Sequence, residues 1–280
     1  QVAPKGLDTY GSRSLVVGGE ALVKAVDKVI DKARPLAAHL LEASADDLEY
    51  AGGRFGVRGT DQGITIQELA TAAFAAHSYP EDMEPSLDAD ATYDPVNFNF
   101  PHGTHLCAVE VDTETGQVSM RRYACCDDIG NIINPLIVAG QVHGGLVQGI
   151  AQALWEEAVH DDSGTLVSGS FTDYLLPTAA DTISFDIDHT TSPSLTNTLG
   201  TKGVGEAGTI ASTPAVVNAV VDAVRHLGID DIAMPCTPER VWRAIQGVAK
   251  GGATEGAAMP HFDSSTGMEG TVDRTTGGAQ

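Results

Sequence analysis

Near the middle of the chain two runs alternate apolar and polar residues, HLCAVEVD (105–112) and QVSMRRYACC (117–126), with only TETG between them. Successive side chains of a strand point to opposite faces, so period-2 runs joined by a short polar link predict an antiparallel hairpin. On either side the pattern changes to helical spacing. Leu22, Val23, Val26, Val29 and Ile30 recur at that spacing within 19–44, where Pro35 is expected to kink or restart a helix. Further helices are expected over 66–77, from Pro135 to about Glu157, and over 211–228, the last with Pro214 in its first turn and Gly228 as its stop. Thr237 and Pro238 have the cap and first-position chemistry of one more helix. LEYAGGRFGVRG (48–59) reads as a second hairpin around Gly52 and Gly53, SFDIDHTT (184–191) as a strand and DDSG (161–164) as a turn. Residues 78–100, with Pro80, Pro85 and Pro95 and few periodic apolars, read as a long ordered loop. Hairpins interspersed with helices imply an α+β fold of mixed sheets and helices, not a regular βαβ array. The folded region is expected to span 1–249. Residues 250–280, mostly Gly, Thr, Ser and Ala, are expected to form a disordered tail.

The charge balance narrows the classes of partner. Against 16 Lys and Arg stand 38 Asp and Glu, a net charge of −22, which disfavours nucleic acid and anionic membrane surfaces. No apolar run approaches the roughly 18 residues of a membrane span, so none is expected. The chain starts with Gln and shows no charged-then-apolar leader, from which a cytoplasmic location is expected. The four cysteines, Cys107, Cys125, Cys126 and Cys236, form no CxxC pair and are expected to be reduced and structural, with no metal-ligand motif among them.

Three glycine-rich segments carry candidate chemistry. Gly200-Thr201-Lys202-Gly203-Val204-Gly205-Glu206-Ala207-Gly208 holds four glycines in nine residues and opens onto a helix N-terminus, where free N–H groups and the helix dipole favour an anion. Glu206 there is either a capping carboxylate or a general base presented by a loop with little bulk of its own. The loop alone would also suit a phosphate, but neither GxxxxGK[ST] nor a strand-borne GxGxxG accompanies it. Gly11-Ser12-Arg13-Ser14 offers hydroxyls, a guanidinium and backbone N–H groups, or is an ordinary turn with a surface arginine. GQVHGGLVQGIAQALWEE (140–157) sets Gln141, Gln148 and Gln152 on a glycine-rich helix, which suits either a flat polar ligand or close helix packing. His143 by itself reads as a hydrogen-bonded structural histidine.

Taken in order, GLDTYGSRS, DDIGNIINPLIVAGQVHGGLVQGIAQALWEE, GTKGVGEAGTIASTPAVVNAVVDAV and MPCTPERVWRAI resemble the molybdopterin-binding subunit of the xanthine oxidase family, above all the large subunits of aerobic carbon monoxide dehydrogenases and aldehyde oxidoreductases. The resemblance runs from about Gly6 to Gly247. It implies an enzyme using a molybdenum–molybdopterin cofactor, either plain or in its cytosine dinucleotide form, to oxidise carbon monoxide, an aldehyde or an N-heterocycle with water as the oxygen source. Glu206 would be the base beside molybdenum and would be partly buried. Gly11, Ser12, Arg13 and Ser14 would line the cofactor, and Gln141 would hydrogen-bond the pterin. Lys202, Gly203, Val204 and Gly205 would support the base, and the metal would be held through the pterin dithiolene, not by protein ligands. The implied partners are the rest of the molybdenum subunit, an iron–sulfur subunit and an FAD subunit. The competing possibility is a truncated cofactor-binding or assembly module of the same fold that lacks turnover.

Overall fold

The computed structural model describes residues 6–75, 79–80 and 82–249; the expected tail at 250–280 lies outside them. A π-helical turn, Leu15–Gly19, runs straight into α1, Glu20–Leu40. A three-stranded antiparallel sheet follows: β1 (Leu48–Ala51), β2 (Arg54–Val57) and β3 (Gly63–Thr65), then α2 (Ile66–Ala75). The β1–β2 turn is Gly52-Gly53, both at positive φ (57° and 79°), as a two-residue hairpin needs. Leu36, Phe55, Leu69 and Ala73 form the sealed core between this sheet and its two helices.

The second half builds a larger core. The expected central hairpin is β4 (His102–Val111) with β5 (Val118–Asp128), and β6 (Asp186–Thr190) joins β5 in parallel. Alternation read locally gives no direction of pairing, and the parallel neighbour was not anticipated. α3 (Pro135–Leu154) connects β5 towards β6; α4 (Ala207–Arg225) packs on α3 and on β4, and α5 (Pro238–Ala249) closes the end. Tyr123, Val142, Leu146, Val216, Val220, Val224 and Val241 are fully buried here. The structure is therefore α+β, as the pattern implied.

Several boundaries depart from expectation. α1 spans Pro35 unbroken, and α4 begins at Ala207, which puts Pro214 in its interior and not its first turn. Both prolines are solvent-exposed, so the backbone bonds they forgo face water. α4 is also long and apolar enough to cross a bilayer, with mean hydropathy 1.3, contrary to the expectation that no run approaches that length. Its valine face is the core helix face just described.

α3 and α4 meet through glycine. A Cβ on Gly145 would lie 3.0 Å from Gly208 Cα, and one on Gly208 would lie 2.6 Å from the Val142 carbonyl oxygen. The same helix α3 leaves Gly140 and Gly144 facing open space. Gly208→Ala must therefore push two backbones apart and is expected to destabilise the fold by about 2 kcal/mol. Gly140→Ala meets nothing and is expected to stabilise it by about 0.5–1 kcal/mol through helix propensity. Chemical denaturation of both variants checks the opposite signs.

Candidate functional site

The loop leading into α4 is clamped by two buried carboxylates from distant parts of the chain. Glu20, at the start of α1, accepts hydrogen bonds from the Thr198 hydroxyl at 2.9 and 3.0 Å and from the Leu199 N–H at 2.9 Å. Burial raises its carboxyl, and these donors outweigh that and hold it below the ordinary carboxylate value. Asp128, at the end of β5, accepts from the N–H groups of Gly130 (2.9 Å) and Ser192 (3.0 Å) and from the Lys202 ammonium (3.0 Å). Burial again pushes the carboxyl up, and the two backbone donors with Lys202 more than offset it, leaving it well below its usual range. The Lys202 N–H also donates to the Ile129 carbonyl at 2.8 Å, so both ends of that residue are fixed.

So fixed, the loop meets the opening segment of the chain. A Cβ on Gly203 would lie 2.3 Å from the Ser12 carbonyl oxygen, so only glycine admits this approach. Ser12 itself sits at φ 56°, a left-handed conformation unusual for a residue with a side chain. Its hydroxyl donates to Glu206 Oε2 at 2.7 Å and accepts from the Glu206 N–H at 3.0 Å, across 194 residues of sequence. Glu206 occupies the N-cap position of α4, but its side chain makes no cap hydrogen bond. The capping alternative is thereby displaced: the carboxylate turns to Ser12. The expected partial burial of Glu206 is corrected, because the residue is exposed.

Other sequence-marked residues divide in two. Gln141 is exposed on the open face of α3, with Oε1 3.6 Å from where a Gly205 Cβ would stand, and its side chain makes no hydrogen bond among the described residues. Gly11, Ser12 and Arg13 border a cavity of about 370 Å³ with Asn97, Phe98 and Asn99 on its other side. The Arg13 guanidinium is engaged by the Tyr10 hydroxyl at 2.6 Å, and the Ser14 hydroxyl by Thr9 at 2.7 Å. Val204 packs against the larger core. Lys202 faces Asp128 and acts by positioning the loop. Gln152 accepts from Thr213 at 3.1 Å, and His143 bonds the Ala139 carbonyl at 2.7 Å, as a structural histidine would. Glu20 and Asp128 carried no sequence signal beyond charge. Asp128 lies in the quoted DDIG segment, yet nothing local distinguished it from Asp127.

The geometry has a match among known proteins. Residues 1–183 match the model of the molybdopterin cofactor-binding domain. The chain belongs to the molybdopterin cofactor-binding domain family. It is 43% identical over 245 residues to the carbon monoxide dehydrogenase large chain of Hydrogenophaga pseudoflava, covering 87% of this chain and 30% of that one. Against the nicotine 6-hydroxylase large subunit of Paenarthrobacter nicotinovorans it is 37% identical, covering 87% and 30%. The structure of reconstituted CO dehydrogenase from Oligotropha carboxidovorans superposes with a TM-score of 0.83 at 40% identity, over 89% of this chain and 31% of that one. The chain thus spans about 30% of the length of the relatives it matches.

The residues present fit the family's cofactor. A Cβ at Gly205 would lie 3.3 Å from the Ser12 hydroxyl and 3.6 Å from Gln141 Oε1, so this glycine keeps bulk out of the space between two polar side chains, while the space at Gly203 is taken by Ser12 itself. An opening edged by a hydroxyl and an amide suits a flat polar heterocycle of the pterin kind.

The clamp on the loop is testable. Asp128→Asn leaves Lys202 half of a buried pair and is expected to lower stability at pH 7 by about 3 kcal/mol. Because the folded carboxyl lies below its ordinary value of 3.8, its contribution is present above that pH and fades below it. The gap between parent and variant should therefore be full at pH 7 and shrink below about pH 4. Urea denaturation at pH 7 and pH 3 measures both.

Proposed function

We propose that this chain is the base-bearing, cofactor-binding part of a cytoplasmic molybdenum hydroxylase, with Glu206 as its catalytic base. What supports this is the reciprocal Ser12–Glu206 pair, which orients an exposed carboxylate next to Gly205 at the start of α4. When bound, the molybdenum–molybdopterin cofactor would supply a Lewis-acidic metal and two-electron redox centre for hydroxylation with water as the oxygen source.

The chain's own residues perform the remaining tasks. Ser12 donates to Glu206 Oε2, which leaves Oε1 free to take a proton. Gln141 offers its amide to the polar edge of the heterocycle, while Gly11, Ser12, Arg13 and Ser14 line the cofactor on the facing side. Gly203, Val204 and Gly205 form the backbone that supports the base beside the cofactor, with Gly203 seated on Ser12, and Lys202 holds them through Asp128. The substrate is carbon monoxide, an aldehyde or an N-heterocycle, since the relatives' names include both carbon monoxide and nicotine chemistry. The remainder of the molybdenum subunit completes the substrate pocket, with iron–sulfur and FAD subunits carrying electrons away. Leu7, Val96 and Phe98, 77%, 84% and 48% exposed around the cavity beside Gly11, are apolar surface suited to burial against that remainder.

In the assembled enzyme, Glu206→Gln is expected to lower turnover by about 10²- to 10⁴-fold while molybdenum content stays stoichiometric. Unchanged turnover would remove Glu206 as base, and an assembly that never turns over would make the chain a non-catalytic module. Ser12→Ala should retain molybdenum and lower kcat about tenfold, the equivalent of one lost orienting hydrogen bond. Steady-state assays with metal analysis on the same samples separate these results.

A further inference from the structure

Away from Glu206, the inner face of the β4–β5 hairpin gathers a set of buried donors that the proposed function leaves unused. His105 and Cys125 stand directly opposite each other in the antiparallel ladder. Tyr123 and Asp127 flank Cys125 at two-residue spacing, and all three point to the same face. His105 bonds the Tyr123 hydroxyl through Nδ1 at 2.8 Å and Asp127 Oδ1 through Nε2 at 3.2 Å. The side chains of His105 and Asp127 are only 1% and 3% exposed. One ligand atom each of His105, Cys125 and Asp127 all lie within 4.8 Å of one another.

Two observations resist a purely structural account. Asp127 Oδ2 is buried with no hydrogen-bond partner, a costly state for a carboxyl oxygen in a core. Opposite it stands Gly103, where a Cβ would lie 1.9 Å from Asp127 Oδ1, so the strand is shaped to admit this carboxyl group. Among the described residues its only ion-pair partner is His105.

We propose that His105, Cys125 and Asp127 form a binding site for a zinc-type divalent cation. Tetrahedral zinc with nitrogen, sulfur and oxygen ligands sets its donors about 3.3–3.8 Å apart, a contraction of at most about 1.5 Å from the arrangement present. One thiolate and one carboxylate neutralise the dication, so the buried complex carries no net charge. His105 ligates through Nε2, and Nδ1–H turns to donate to the Tyr123 oxygen, which fixes ring and tautomer from behind. A cavity of about 230 Å³, walled by Asp127, His102 and Gly103 and by Ala207, Ile210 and Ala211 of α4, leaves room for water as the fourth ligand. Binding exchanges the sulfur–hydrogen bond of Cys125 for a sulfur–metal bond and releases that proton to solvent, one per cation, with no change of oxidation state.

The site is independent of molybdenum chemistry, and its test uses the purified protein after chelator treatment. Titration with Co²⁺ should give one equivalent of a tetrahedral species with a thiolate-to-cobalt charge-transfer band, and a weakly buffered titration with Zn²⁺ should release one proton. Cys125→Ser should abolish the charge-transfer band, and Tyr123→Phe should weaken affinity about tenfold. Because a core variant can fail to fold, zinc-edge X-ray absorption on the parent protein gives a second readout, with one sulfur among the scatterers expected. Absence of stoichiometric binding at micromolar metal, or a zinc shell without sulfur, would overturn the proposal.

Discussion

Two carboxylates removed from water hold the segment 198–206 in one shape. A buried carboxylate is tolerated only when donors surround it, so each commits the backbone that supplies those donors. Glu20 takes the loop's first part through Thr198 and Leu199, and Asp128 takes its middle through Lys202. The two come from different cores of the molecule, one from α1 and one from β5. Ser12 is eight residues before Glu20, joined by the π-helical turn. The contact between Ser12 and Gly203 thus follows from the Glu20 clamp, and the Ser12–Glu206 pair follows from that contact.

Helix packing sets where Gln141 stands relative to this loop. Gly145 and Gly208 bring the backbones of α3 and α4 into direct contact, and Gly149 does the same against Ser212, where an added Cβ would lie 1.8 Å from Oγ. At this separation the first turn of α4 lies against Val142 of α3, next to Gln141. The glycine-rich helix thus packs as one of the two readings of its sequence required, and the rest of that face remains open. Gly145 and Gly149 pack, while Gly140, Gly144 and Gln141 stay open.

What could be read from sequence followed from what is local. The 105–126 hairpin, the Gly52-Gly53 turn, α3 and α5 after Thr237 each declare themselves in one contiguous stretch of sequence. Glu206 was singled out by its glycine surroundings, yet its partner was not, because Ser12 lies 194 residues away and Ser, Glu and Gly carry no pairing signal. Ends of helices were misjudged where prolines sit on solvent faces, since a proline's local penalty depends on which way its missing hydrogen bond would have pointed. The parallel partner of β5 and the roles of Glu20 and Asp128 are properties of tertiary packing. The search for metal-ligand spacing passed over His105, Cys125 and Asp127 for the same reason: their proximity is across strands, not along one.

β5 shows how closely these features depend on register. Asp127 and Asp128 are neighbours in sequence but face opposite sides of the sheet, one toward His105 and the other toward Lys202 and the loop. Read outward from the turn, the ladder pairs Val111 with Val118 and Val109 with Met120, and continued unchanged it would set His105 opposite Ala124. A bulge between Ala108 and Val109 shifts it, with Arg121 as the additional residue, so that His105 meets Cys125 instead. Arg121 is exposed and paired with Glu110, where an irregularity in the ladder is cheapest to accommodate. A one-residue slip exchanges the two faces of a strand, so this single bulge fixes which side chains share the hairpin's inner face with His105. Because the loop clamp hangs from the same strand end, the register that assembles the His105 cluster also delivers Asp128 to Lys202.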